Sequence, residues 1–265
     1  MPEELPIVPI VQAVATGDLK SSGRTKPLEI KCSTNSGLIS YVVKLYGNLD
    51  LGYHQLVREI YGNLLAHFFG IVTPDISLVN IPLEFHTVQF NPELKTMFQR
   101  SPGLNFGSKT LTGVPIFQPS VQSDLISEAM SIFCFDMLIR NSDRRVVNPN
   151  LFHTSSSLIV FDHEQAFPYS HPQMLLGGLP APWDLNEPWI KQHVLYSDLK
   201  KYGMPGDIDT FISELDMLSD DFLATIEEQI PVAWRAEELS NISAYIISAR
   251  NNAAKFKRSL QEVLA

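Results

Sequence analysis

The hydrophobic pattern changes period twice along this chain. Val8 to Thr16 is apolar and β-branched, and Leu28-Glu29-Ile30-Lys31-Cys32 alternates with period two. Leu38 to Leu45 follows the turn signal Asn35-Ser36-Gly37. These segments predict a three-strand antiparallel meander. Between the first two strands lies Gly17 to Pro27, a run of turn formers and cations. From Tyr53 to Phe69 the period becomes helical, with Leu56, Ile60, Leu64 and Phe68 forming one stripe. Gly70 and Pro74 then act as stop signals.

Ile76 to Ile81 reads as a further strand. Pro82 to Pro119 is irregular and holds Pro82, Pro92, Pro102, Pro115 and Pro119, so it is expected to be connector with one or two short strands. Ser123 to Arg140 predicts a helix apolar on nearly every face, the pattern of an element in the middle of a domain. Leu151-Phe152 and Leu158 to Phe161 predict two short strands around Thr154-Ser155-Ser156. Helices are then expected over 208–218, 220–229 and 236–263. Strands with one helix, followed by mostly helices, make an α+β chain of two lobes: a small β-rich lobe over 1–110 and a larger, mostly helical lobe over 111–265.

Composition narrows the function classes. The net charge is −9, and it falls from zero over 1–60 to −6 over 181–265. Such a chain is a poor general binder of nucleic acid, whose affinity comes from neutralising phosphates. The acidic run from Asp207 to Glu228 reads as a solvated helical face. Two cysteines make neither a four-thiolate metal site nor a disulfide framework. Glu3 and Glu4 stand where a signal peptide would carry cations. The most apolar stretch, MSIFCFDMLI, is short and holds Asp136, so no membrane span is expected. The chain is therefore expected to be cytoplasmic.

Certain polar residues interrupt the apolar pattern. Lys44 lies in a strand, Glu59 on the first helix, Asp143 and Asn148 in one loop, and Asp162 at the end of a strand. In that order they suit phosphoryl transfer. A lysine on a rigid strand can hold inner phosphates, and a helix glutamate can fix its flexible stem. A carboxylate can receive the proton of an acceptor hydroxyl, while a second carboxylate and an amide offer hard oxygen ligands to a metal. Asp143 and Asn148 stand five positions apart, the spacing of the protein-kinase catalytic loop. Taken singly, each residue has a commoner role as a surface ion pair or a cap.

The stretch FDMLIRNSDRRVVNPNLF…LIVFDHEQAF resembles the HipA-like kinases, whose catalytic loop has the form N-x-D-R-H-x-x-N and is followed by a hairpin and a metal-binding Asp. YVVKLYGN…LVREIYGNLLAHFFGIVTPDISLVNI is similar to their small lobe, and IPVAWRAEELSNISAYIISARNNAAKF to the tail of their compact branch. The resemblance runs from Val11 to Lys257. It implies a two-lobed protein-kinase-like fold binding ATP and Mg²⁺ in the cleft, with a Ser/Thr hydroxyl as acceptor. It implies that Asp143 is the catalytic base, that Asn148 and Asp162 bind Mg²⁺, and that Lys44, partnered by Glu59, contacts the phosphates. It also implies a phosphate-covering loop over Ser21 to Pro27, with Ser22 and Gly23 as backbone donors and Ser21 or Ser22 as a candidate for autophosphorylation.

The chain departs from the family pattern at Arg145, where the family carries His. Arg144-Arg145 reads either as compensation for phosphate charge or as one salt bridge beside one exposed side chain. Rival readings are an ATP-binding pseudokinase, a small-molecule or lipid kinase, and a two-metal hydrolase built on Asp143, Asp162, His163 and Glu164. Gly103 to Lys109 lacks the GK[ST] ending of a P-loop and is expected to be an ordinary loop. The three tryptophans are expected to be packing residues.

Overall fold

The computed structural model describes residues 5–19, 27–170 and 180–265. Its strands lie in the N-terminal part and in one later hairpin, and its C-terminal part is helical. The chain divides into two units, one comprising Pro6–Ile60 with Pro74–Thr112, the other Tyr61–Thr73 with Gly113–Ala265.

In the first unit β1 (Ile10–Leu19), β2 (Leu28–Thr34) and β3 (Gly37–Lys44) form the expected antiparallel meander. Two more strands close it into a barrel in the order β1-β2-β3-β5-β4, with β4 at Ile76–Ile81 and β5 at Gly103–Lys109. Closure comes from β4, which pairs antiparallel with β5 and parallel with β1. A closed barrel leaves no unpaired strand edge to be covered. Alternate residues of β2 point inward, and Leu28, Ile30 and Cys32 are fully buried among Val11, Val43, Val79 and Phe98.

Gly103–Lys109 is thus a barrel strand, not the loop expected from its glycines. Gly107 lies so close to β4 that a Cβ there would come 2.5 Å from Val79 Cγ2, so the glycine marks a close strand approach. The irregular stretch also hides a helix, α2 (Pro92–Gln99). Asn91 caps it by accepting hydrogen bonds from the backbone N–H groups of Glu93 (2.8 Å) and Leu94 (3.4 Å), and Pro92 occupies the first turn. Here proline starts a helix rather than interrupting one.

α1 (Tyr53–Phe68) begins in the first unit and ends in the second, where Gly70 follows it with φ 62°. In the second unit α3 (Ile126–Ile139) is the central element, with Phe133, Phe135, Met137 and Leu138 fully buried. At roughly 1.5–3 kcal/mol for each large apolar side chain buried, such a helix anchors its unit. It packs on α4 (Tyr196–Tyr202), α5 (Pro205–Met217) and α7 (Glu237–Asn251). Phe69 stacks on Phe211 with ring centroids 4.5 Å apart.

β6 (Leu151–His153) and β7 (Leu158–Val160) form the expected hairpin. α6 (Asp220–Gln229) is capped by Ser219. The single helix expected over 236–263 is two, α7 and α8 (Ala253–Leu264), broken at Asn252 with φ −125° and ψ 33°. Trp234 is buried, while Trp183 is half-buried under Lys255 Nζ at 4.5 Å from its ring centroid. Among the described residues no helix is long and apolar enough to cross a membrane.

Candidate active site

Lys44 is the last residue of β3, in register with Phe106 of β5. Glu59 sits in the stretch of α1 that is buried all round, in the same unit. The structure brings the two together, with Lys44 Nζ 2.6 Å from Glu59 Oε1 and both side chains almost wholly buried. Burying either charge alone is costly, so each fixes the other. Just beyond Lys44, Tyr46 N donates to Asn105 Oδ1 at 3.0 Å. Asn105 Nδ2 donates to the carbonyls of Ser101 and Gly103. The exit of β3 is thereby tied to the start of β5. Ser22 and Gly23 lie outside the described residues, as does Ser21.

The second unit holds the Asp143 loop. α3 ends at Arg140 in the left-handed region, φ 55°. This conformation costs a non-glycine residue about 1–2 kcal/mol. All three of its guanidinium nitrogens donate: Nε to Tyr245 Oη at 2.9 Å, Nη2 to the carbonyls of Ala181 (3.0 Å) and Asp184 (2.7 Å), and Nη1 to Glu187.

In the loop that follows, Asp143 Oδ1 accepts from Arg145 Nη2 at 3.0 Å. Its Oδ2 accepts from Asn148 Nδ2 at 2.8 Å and from Asn150 Nδ2 at 3.1 Å. Three donors therefore hold one carboxylate in place. Asn148 spends its NH₂ on Asp143, which leaves its carbonyl oxygen as the end able to ligate a cation. Arg144 and Arg145 part ways. Arg144 is fully buried against Asp136, Nε to Oδ2 at 2.6 Å, whereas Arg145 is partly exposed and pairs with Asp143. Neither is a free cation awaiting phosphate.

Asp162 follows β7 and takes φ 65°, a left-handed conformation in a non-glycine residue. Such strain, about 1–3 kcal/mol, persists where the surroundings enforce it and concentrates at functional sites. The described residues directly after Asp162 form a turn and not a helix, so it caps no helix there; in that turn Ala166 N donates to His163 O at 2.9 Å. Asp162 and the buried Glu164 bring carboxylate oxygens within 4.8 Å of one another. His163 is fully buried, with Nδ1 3.3 Å from Asn63 Nδ2.

Asn150 and His193 carry no expectation from the sequence, and Asp136 enters there only as an acid interrupting an apolar stretch. Asn150 was visible as a second carboxamide two positions after Asn148, and Asp136 as an acid inside an apolar helix. His193 carried no local signal. Asp136 is wholly buried, which by itself would raise its carboxyl, but Arg144 and His193 override burial and hold it down at about 2. Burial in turn lowers His193, against the opposing pull of Asp136.

A family model described as HipA-like kinase matches residues 15–176. Among curated proteins, none matches the chain. With more than half of its 265 residues matched, the chain belongs to the HipA-like kinase family, whose members are kinase-type phosphotransferases.

Proposed function

We propose that this chain is an ATP- and Mg²⁺-dependent serine/threonine protein kinase of two-lobed, protein-kinase-like fold. The observation that carries the reading is the Asp143 carboxylate, held by Arg145, Asn148 and Asn150 in the loop that joins α3 to β6. A carboxylate so fixed suits a base that must meet an acceptor hydroxyl in one orientation.

The residues fit the implied cation. Mg²⁺ takes hard oxygen ligands, and the neighbouring carboxylates of Asp162 and Glu164 are of that type, as is the carbonyl oxygen of Asn148. Asn148 and Asp162 would hold the ion, with Glu164 in reach as a further donor. Lys44 would hold the inner phosphates, and Glu59 keeps its ammonium in place. The chemistry that the bound nucleotide and ion would bring is a transferable γ-phosphoryl group with its charge neutralised. Asp143 would take the proton from the acceptor hydroxyl at its carboxylate.

The polar residues expected of a kinase stand in ordered, partnered geometry, which supports an active enzyme over a pseudokinase. The hydrolase reading loses support, because the Asp162–Glu164 carboxylate cluster does not include Asp143 or His163 among the described residues. The test is intact mass and transfer from labelled ATP, with and without Mg²⁺, on the wild type and Asp143→Asn. The expected result is Mg²⁺-dependent phosphate incorporation into the chain or into a protein or peptide acceptor. It should fall by about 10²–10⁴ in the variant, with ATP-induced thermal stabilisation retained. Transfer by Asp143→Asn at the wild-type rate would show that another group is the base. Stabilisation by ATP without any transfer would favour the pseudokinase.

A further inference from the structure

Asp136 and Arg144 form a buried ionic pair that the function proposed above does not use. Asp136 lies within the apolar run Phe133–Ile139 of α3 and is fully buried, as are Arg144 and, at 2% exposure, His193. Both carboxylate oxygens of Asp136 are engaged. Oδ2 accepts from Arg144 Nε at 2.6 Å and from His193 Nε2 at 2.9 Å. Oδ1 accepts from Asn141 Nδ2 at 3.1 Å and from Arg144 Nη2 at 3.3 Å. His193 Nδ1 accepts from Leu195 N at 3.2 Å, so its proton sits on Nε2 and is donated to Asp136.

The rest of the Arg144 fork points elsewhere. Nη1 donates to the carbonyl of Asn150 and, at 3.2 Å, to that of Phe161. Asn150 is the residue whose side chain donates to Asp143. Phe161 immediately precedes Asp162. One guanidinium thus joins α3, the loop that carries Asp143 and the backbone leading into Asp162. The carbonyl of Arg144 also accepts from Val194 N at 3.0 Å, which straps the segment around His193 to the same loop.

We propose that Arg144, held by Asp136, is a positioning residue that sets Asp143 relative to Asp162 for transfer. It touches neither nucleotide nor acceptor and acts through the Asn150 and Phe161 carbonyls. The inference rests on the function proposed above. A pair needed only for stability would require the charge contact with Asp136. A positioning role requires the second arm of the fork as well, which a lysine cannot supply.

The experiment is steady-state kinetics and thermal unfolding of full-length Arg144→Lys beside the wild type. The lysine keeps a cation against Asp136 and loses the planar arm to the two carbonyls. The expected result is a folded protein with KM for ATP within about threefold of wild type and kcat lower by about tenfold or more. Wild-type kcat in folded Arg144→Lys overturns the proposal and leaves the assignment as a kinase intact. A wild type that transfers no phosphate overturns that assignment and this inference with it.

If Arg144→Lys does not fold, the same kinetics are read on Asp136→Leu/Arg144→Met, since apolar replacement of a buried ion pair is commonly tolerated. A folded double variant with depressed kcat and unchanged KM supports positioning, and one with wild-type kcat overturns it. Failure of both variants to fold assigns the pair to stability alone and also overturns it.

Discussion

Gly62 and His163 are in direct apposition: a Cβ placed on Gly62 would lie 2.7 Å from His163 Cβ and 2.8 Å from its Cγ. Gly62 is inside α1, where glycine is about 1 kcal/mol worse than alanine, so its presence needs a reason. His163 supplies one. It is fully buried and stands between Asp162 and Glu164, so the absence of a side chain at position 62 lets that turn seat itself.

Gly62→Ala is therefore expected to destabilise by about 1–3 kcal/mol, although helix propensity alone predicts a gain. The added methyl meets the root of His163 rather than the end of a flexible chain, so the turn must shift and phosphoryl transfer should fall. Chemical denaturation and transfer assays check this together. A more stable Gly62→Ala with full activity would show that the turn yields freely.

Lys44 and Glu59 give a second prediction. Lys44→Ala leaves the Glu59 carboxylate, 1% exposed, without the ammonium 2.6 Å away. Removing one partner of a buried pair costs about 3–5 kcal/mol, whereas replacing both with apolar residues is often close to neutral. Lys44→Ala should therefore unfold at lower urea than Lys44→Met/Glu59→Leu, and neither should be stabilised by ATP. Equal stability of Lys44→Ala and wild type would mean the pair contributes nothing to the fold.

The His193–Asp136 contact predicts how stability responds to acid. Unfolded, His193 takes up a proton near its ordinary value of about 6.5. Folded, burial lowers that value, so between the two the unfolded state binds more protons. Stability should be flat above that range and fall as the pH drops through it, by at most about 1.4 kcal/mol per pH unit. Asp136 adds loss of the same sign at lower pH. Its contribution is complete above the ordinary carboxylate value and is lost as the pH falls towards its folded value of about 2. Urea denaturation of wild type and His193→Gln at pH 7.5 and 5.5 checks the sign, and the variant should show the smaller change. An equal pH dependence in both would remove His193 as the cause.

Most of the local structure was legible in the sequence because it is enforced locally. The period-two alternation of Leu28-Glu29-Ile30-Lys31-Cys32 can bury one side only as a strand, and the all-round apolar pattern of 126–139 can be satisfied only inside a unit. The order of strand Lys44, helix Glu59, loop Asp143 and Asn148, then Asp162 was legible for the same reason, since each chemical type stands at a definite place in an element. Local rules also misled. The prolines and glycines of 82–119 read as breakers. Yet Pro92 opens α2, and Gly107 admits β4 against β5, a neighbour more than twenty positions away in sequence.

What the tertiary structure alone decided are contacts that close long loops of chain. The parallel pairing of β1 with β4 joins Ile10 to Leu78 and turns a meander into a barrel, and no local period encodes it. Asn150 reaches Asp143 only because the backbone reverses, with φ 45° at Asn150 itself. His193 finds Asp136 across fifty-seven positions. Buried polar groups must be hydrogen-bonded, but nothing local states which partner will be brought to them. The sequence thus determined which chemical groups this protein possesses and which elements carry them. Packing decided which of those groups hold one another still, because a buried charge takes the partner that the fold delivers.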